Sequence, residues 1–404
     1  MPTRSPALPT PLTEVPRRVR AIDLLRGLTM VLMIFVNDLW SLTAIPAWLE
    51  HVPPGVDGIG LADTIFPAFL FIVGLSLPYA LDARRQRGAT LVALLAHVIS
   101  RSVALLIMGV FLVNGESINP AATGLSRGGW NTLCCLSFIL IWTTYPKTLS
   151  PWLARASKAV GVLVLLLLAL FYRGGEQPLG LFAPQWWGIL GLIGWSYLAA
   201  GLVTVLARNR LSVLVLSWLG FVLISLAHQA DLLPGAIRWL PSAIGGGTLA
   251  GLAVGGVVIA RLFQVYAQRG DAARMTLVFG LIAAGLIGLS IFTRPLGGLS
   301  KLEATPAWSF LCSALTLLAF TGLYWLGDVG GRANWFSLIK PAGTDTLLCY
   351  LLPYLAYALV TLLPFSLPAV LLRGSLGLLK SFLFALGCAW ITGWLNRAGV
   401  RLKL

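Results

Sequence analysis

The stretch MTLVFGLIAAGLIGLSIFT, residues 275–293, decides the fold. It contains no ionisable residue and is bracketed by Arg274 and Arg294. As a helix rising 1.5 Å per residue it would be roughly 28 Å long, close to the ~30 Å hydrocarbon thickness of a bilayer. It is apolar on every face, so packing one side into a soluble core would leave the other side against water. Inside lipid the backbone must satisfy its own hydrogen bonds, which selects a helix.

Working outward, the same pattern recurs along the chain. Of 404 residues, 58% are hydrophobic and only 11% charged, where a soluble domain has about a quarter charged. The expected fold is all-α, a polytopic transmembrane helical bundle of about 11–12 helices. The expected spans are 22–44, 62–82, 94–114, 130–149, 157–174, 188–207, 211–228, 242–262, 275–293, 308–327, 344–365 and 376–396. Fusing or splitting the run at 211–228 or the pair after 344 would change the count to about eleven. The connecting segments are too short for a soluble domain. The expected organisation is a disordered cytoplasmic N-terminal tail, residues 1–20, followed by one transmembrane domain, residues 21–404. The first apolar run contains Asp23, Arg26 and Asn37 and shows no small-residue cleavage site, so it reads as a retained span.

The net charge is +15, which in a soluble protein would suggest nucleic acid. Here the basic residues cluster in short loops, where they read as topology signals and contacts with anionic lipid. One set of alternate loops, with the termini, carries 21 Lys and Arg against 7 in the other set. That asymmetry predicts both termini in the cytoplasm and places the Lys- and Arg-free loop 44–61 outside. Cys134, Cys135, Cys312, Cys349 and Cys388 all fall within apolar runs and lack metal-ligand spacing, so they read as packing residues and no metal is expected. Trp40, Trp48, Trp130, Trp186, Trp187, Trp239 and Trp308 read as an interfacial belt near the outer face, with sugar stacking as the alternative.

Five of the fourteen acidic residues lie within 41 residues, in the first span, its loop and the start of the second: Asp23, Asp38, Glu50, Asp57 and Asp63. His51 lies there too. Ionisable groups in a membrane are costly and mark functional sites by default. His51 with Asp63 twelve residues on is a general-base arrangement, the carboxylate fixing the tautomer. Asn37, near the outer end of the first span, carries both donor and acceptor; an interhelical hydrogen bond is its plainer reading. Asp23 and Arg26 share a helix face near the inner end and read equally as a local ion pair. His97 and Arg101 also share a face, with Arg84, Arg85 and Arg87 nearby. They form a basic patch that suits lipid headgroups or a phosphorylated cytosolic donor. His228 and Asp345 read as structural.

The strings AIDLLRGLTM at 21–30, MIFVND at 33–38 and GLADTIFPAFLFIVGLS at 60–76 resemble the opening of the heparan-α-glucosaminide N-acetyltransferase-like membrane proteins. The resemblance covers the first ~115 residues. It implies acetyl transfer from cytosolic acetyl-CoA, the co-substrate, to an amino-sugar amine across the membrane. The implied catalytic residues are His51, Asn37 and Asp63, with Asp23 and Arg26 matching the opening motif. The gaps around His51 are longer than in the lysosomal member, and a Gly-Val-Leu-Gln-Arg-like motif near the fourth span is missing. Both departures imply a divergent bacterial branch with its own acceptor.

The resulting expectation is an acetyltransferase of the bacterial inner membrane, acting on a periplasmic amino sugar or glycan. Arg26, His97 and Arg101 would hold the donor, and Asp38, Glu50, Asp57 and Trp40 the acceptor. Asp23 and Asp345 would support them. The partners are the bilayer, acetyl-CoA and the glycan, with a homodimer allowed and nucleic acid excluded. The alternatives are a transporter or permease for a sugar or cell-envelope precursor, and a non-catalytic scaffold.

Overall fold

The computed structural model describes residues 19–146, 148–176, 178–208, 210–235, 240–363 and 366–404. Among these residues, fifteen α-helices follow one another: α1 (Arg20–Asp38), α2 (Leu61–Gln86), α3 (Leu91–Asn114), α4 (Pro120–Thr123), α5 (Arg127–Trp142), α6 (Pro151–Phe171), α7 (Gly188–Leu206), α8 (Leu211–Gln229), α9 (Ser242–Gly245), α10 (Thr248–Arg269), α11 (Ala272–Thr293), α12 (Pro306–Tyr324), α13 (Lys340–Thr344), α14 (Thr346–Leu362) and α15 (Gly374–Arg397). The protein is an all-helical polytopic bundle. Of the expected tail, residues 1–18 lie outside the described residues, as does Trp239.

Among the described residues, nine helices are long and apolar enough to cross a bilayer: α2, α3, α6, α7, α8, α10, α11, α12 and α15. The first, fourth and eleventh expected spans are also helical but differ physically. Helix α1 carries Arg20, Asp23, Arg26 and Asp38, while α5 and α14 have only 16 and 17 residues. The first expected span ends early, at Asp38, where a 3-10 turn over Leu39–Ser41 begins the loop to α2. The span expected at 242–262 is divided into α9 and α10. Gly247 adopts φ +74°, and a side chain there would strike the Phe221 carbonyl of α8.

Helix α2 is central and packs on α1, α7, α10 and α12. Its crossing with α10 is tight because glycines face backbone on both sides. A Cβ at Gly74 would collide with the Ala253 carbonyl, and one at Gly256 with that of Phe71. Helix α3 pairs with α7, and α5 with α6 and α14. Helices α6, α8 and α11 are the most outward-facing and show large exposed apolar side chains such as Leu166, Leu216 and Leu281. A contiguous apolar surface of this kind suits lipid contact.

The ends are fastened by polar contacts. At the end holding the α2 C-terminus, Arg261 of α10 donates to Asp82 at 2.5 and 3.1 Å, and Arg85 reaches the Val205 carbonyl at 3.1 Å. Asp328 accepts the backbone N–H groups of Arg20 and Ala21 at 3.0 and 2.7 Å, capping α1. All five cysteines are buried and unbridged, as packing residues should be. Trp130 and Trp308 depart from the interfacial-belt reading. Both are fully buried, with indole N–H groups donated to the Phe111 and Asp63 carbonyls. Trp40 and Trp48, between α1 and α2, are widely exposed.

Candidate active site

The loop between α1 and α2 is tied down on both flanks. On one side, Thr43 N–H donates to the Leu372 carbonyl and Gly374 N–H to the Thr43 carbonyl, each at 2.9 Å. On the other, the Asp57 carboxylate takes the Arg294 Nε–H at 2.8 and 3.1 Å and the Leu299 N–H at 2.7 Å. The Arg294 guanidinium holds the Asp57 carboxyl below its ordinary range. Leu42 and Leu49 are buried beneath the loop. His51 lies between the two ties.

Asp63 lies in the first turn of α2, where helix-end N–H groups favour a carboxylate. Its Oδ2 accepts the Gly60 and Val52 N–H groups at 3.1 and 3.0 Å, and its Oδ1 lies 2.6 Å from His51 Nδ1. The carboxylate side chain is 5% exposed and the imidazole 47%. Four residues on, Pro67 has no N–H to offer the Asp63 carbonyl, and the Trp308 indole donates to it at 3.0 Å. Asp63 is thus held by its side chain and its backbone together. An ionised carboxylate on Nδ1 assigns the ring proton to that nitrogen and leaves the Nε2 lone pair outward.

One neighbour escaped the sequence reading. Lys301, in the loop between α11 and α12, places Nζ 3.3 Å from both ring nitrogens of His51. Burial lowers the pKa of its ammonium. The available signal was a lone lysine in a loop class that is poor in Lys and Arg.

The other expected site residues are dispersed. Asn37 is exposed and lines a cavity of 410 Å³ with Trp40, Glu116, Arg127, Tyr354 and Tyr357; no hydrogen bond joins it to His51. Asp38, its sequence neighbour, is buried and saturated. It accepts from Tyr357 Oη at 2.8 Å, Lys380 Nζ at 2.7 Å and Ser381 Oγ at 2.6 Å, which binds α1 to α14 and α15. That network leaves no oxygen turned toward an acceptor. Glu50 is exposed, and Asp57 is occupied in the loop tie.

At the opposite end, Arg26, Ser76, Arg101, Tyr197, Asp345 and Lys403 line a cavity of 330 Å³. Arg26 donates to the Gly343 carbonyl at 3.0 Å, to Ser76 Oγ and, weakly, to Asp23 at 3.5 Å. The Arg101 guanidinium lies 4.8 Å over the Tyr197 ring, and its buried Nε has no partner among the described residues. His97, one turn earlier on α3, is half-buried and does not line this cavity. Asp345 caps α14 at Leu348 N–H and accepts Leu402 N–H at 3.0 Å, a supporting role.

Fold and site together define a polytopic helical membrane protein with a carboxylate-oriented histidine at one face and a basic cavity at the other. The chain belongs to the family described as a domain of unknown function, DUF5009, whose model matches residues 18–243. It is also similar to the heparan-alpha-glucosaminide N-acetyltransferases of Homo sapiens and Mus musculus. The human protein is 33% identical over 107 residues, 26% of this chain and 15% of that protein. The mouse protein is 36% identical over 101 residues, 24% and 14% respectively. The chain therefore matches only about a seventh of the length of these curated relatives.

Proposed function

We propose that this protein is a membrane-embedded N-acetyltransferase that moves an acetyl group from acetyl-CoA, bound at the α2 C-terminal end, to the amine of an amino sugar or glycan at the His51 end. The observation carrying this reading is the His51–Asp63 pair at 2.6 Å, with the carboxylate fixed by two backbone donors and the Nε2 lone pair turned outward. The names of the two similar proteins supply the reaction class.

The inner cavity suits a phosphorylated head group: it presents Arg26, Arg101 and Lys403, with the Arg101 Nε–H lacking an acceptor among the described residues. Its 330 Å³ has room for part of such a ligand. From Phe69 in this cavity to Asp63 is six residues of α2, roughly 9 Å of rise, so an arm extending from the head group lies within reach of the outer end. Acetyl-CoA supplies an activated thioester. His51 Nε2 takes the proton of the attacking amine while Asp63 stabilises the imidazolium that forms. The sulfur departs, and His51 returns the proton to it.

The test is an assay of detergent-purified protein with labelled acetyl-CoA and glucosamine. Transfer is expected, and His51→Ala should lower kcat by about 10²- to 10⁴-fold. Absence of transfer by the unaltered protein, or equal transfer by His51→Ala, overturns the reading.

A further inference from the structure

Two cavities open at the His51 end, and an acceptor fits in one of them. The first is the 410 Å³ space beside Asn37. The second, 720 Å³, is lined by Phe66, Trp186, His228, Gln229, Lys301 and Glu303. Lys301 distinguishes them, because it lines the larger cavity and touches both ring nitrogens of His51 at 3.3 Å. Phe66 of this cavity lies one helical turn from Phe69 of the inner cavity, on the same side of α2.

We propose that the larger cavity receives the acceptor amine and that Lys301 is a catalytic residue coupling this cavity to His51. The proposal rests on the acetyl-transfer reading. Asp63 occupies Nδ1 of His51, and Lys301 Nζ, 3.3 Å from both ring nitrogens, lies beside the ring within reach of a group approaching Nε2. When thioester and amine occupy the site, the ammonium donates to the acyl carbonyl oxygen. The amine nitrogen then bonds to the carbonyl carbon, and the electron pair moved onto oxygen is held by Lys301. Nε2 receives the amine proton. As the carbonyl reforms, the C–S bond breaks, and the thiolate takes the proton from His51.

The lining specifies the acceptor class as a hydroxylated ring bearing an amine. Glu303 can accept a hydrogen bond from its amine, Trp186 offers an apolar face, and Gln229 and His228 present hydrogen-bonding groups. The charged and titratable groups around Lys301 are His51, Asp63, Glu303, His228 and the Asp57–Arg294 pair.

Kinetics with glucosamine test the cavity. Trp186→Leu and Gln229→Leu should raise the acceptor KM several-fold, while Arg127→Gln and Tyr354→Phe in the smaller cavity leave it within about twofold. Lys301→Met should lower kcat by about 10²-fold, and Lys301→Arg should restore part of it. The converse pattern between the cavities, or full activity in Lys301→Met, overturns the proposal.

A second readout needs no turnover. Only three histidines occur, so the rate of His51 modification by diethyl pyrocarbonate can be followed in a His97→Gln/His228→Gln background. Lys301→Met removes a group 3.3 Å from both ring nitrogens and should change the rate of His51 modification several-fold at fixed pH, and an unchanged rate overturns the coupling. A wild type that transfers nothing, but shows this change in rate, sinks the acetyl-transfer reading and the acceptor assignment while leaving the His51–Lys301 coupling standing.

Discussion

At the scale of single residues, the site turns on Asp63. Asp63→Asn keeps the shape but can present an N–H to Nδ1, which moves the ring proton to Nε2 and removes the base. A fall in kcat of about 10²-fold or more is expected, with a smaller change in donor KM. Asp63→Ala also leaves the Val52 and Gly60 N–H groups without an acceptor, each costing ~1–3 kcal/mol where buried, so it should lower the melting temperature as well. Asp57 sets a pH limit on the loop. Its pKa is depressed in the folded protein, so the tie to Arg294 and Leu299 is fully present above the ordinary carboxylate value of 3.8 and is lost as pH falls through the depressed one. Limited proteolysis within 44–60 should therefore be slow from neutral pH down to about 5, and Asp57→Asn should be cleaved faster throughout. Sequence reading found His51 and Asp63 because they sit twelve residues apart across a single loop. It could not find Lys301, which arrives from 250 positions away. Asn37 and Asp38 read as one polar pair, yet successive helix residues point about 100° apart. One faces a cavity, and the other is enclosed by Tyr357, Lys380 and Ser381.

At the scale of elements, α2 carries the site and its neighbours hold it. Its N-terminal turn supplies Asp63, and its middle presses against α10 with no room for a side chain at Gly74 or Gly256. Gly74→Val or Gly256→Val would drive Cβ into backbone, forcing the helices apart at a cost of about 1–3 kcal/mol or more. Both variants should melt earlier in detergent and lose the His51–Asp63 geometry. Gly280→Ala and Gly285→Ala on α11, where nothing lies within 4 Å, should melt as the parent does. Helix positions were legible because an uncharged run of about twenty residues has one stable form in lipid. Helix partners were not. The α2–α10 crossing depends on matched glycines far apart in sequence, and small residues are common throughout the chain. The break at Gly246–Gly247 was equally hidden, since hydropathy continues smoothly from α9 into α10.

At the scale of the whole molecule, polar groups gather at two ends. Asp82, Arg85, Arg261 and the cavity of Arg26 and Arg101 mark one end; His51, Asp57, Asp63, Arg294 and Lys301 mark the other. The fold fixes that these ends oppose each other, because α1 and α2 each run from one to the other. We propose from the loop charge bias that the Arg-rich end faces the cytoplasm. This assignment decides whether a cytosolic thioester can meet the inner cavity while the acceptor stays outside. All five native cysteines are buried, so single introduced cysteines report sidedness without removing them. Val56→Cys, on the exposed His51 loop, should react with a membrane-impermeant maleimide in intact cells. Arg87→Cys, following α2, should react only after the membrane is opened. The reverse pattern would place His51 on the cytosolic side and remove the need for a site that reaches through the bilayer.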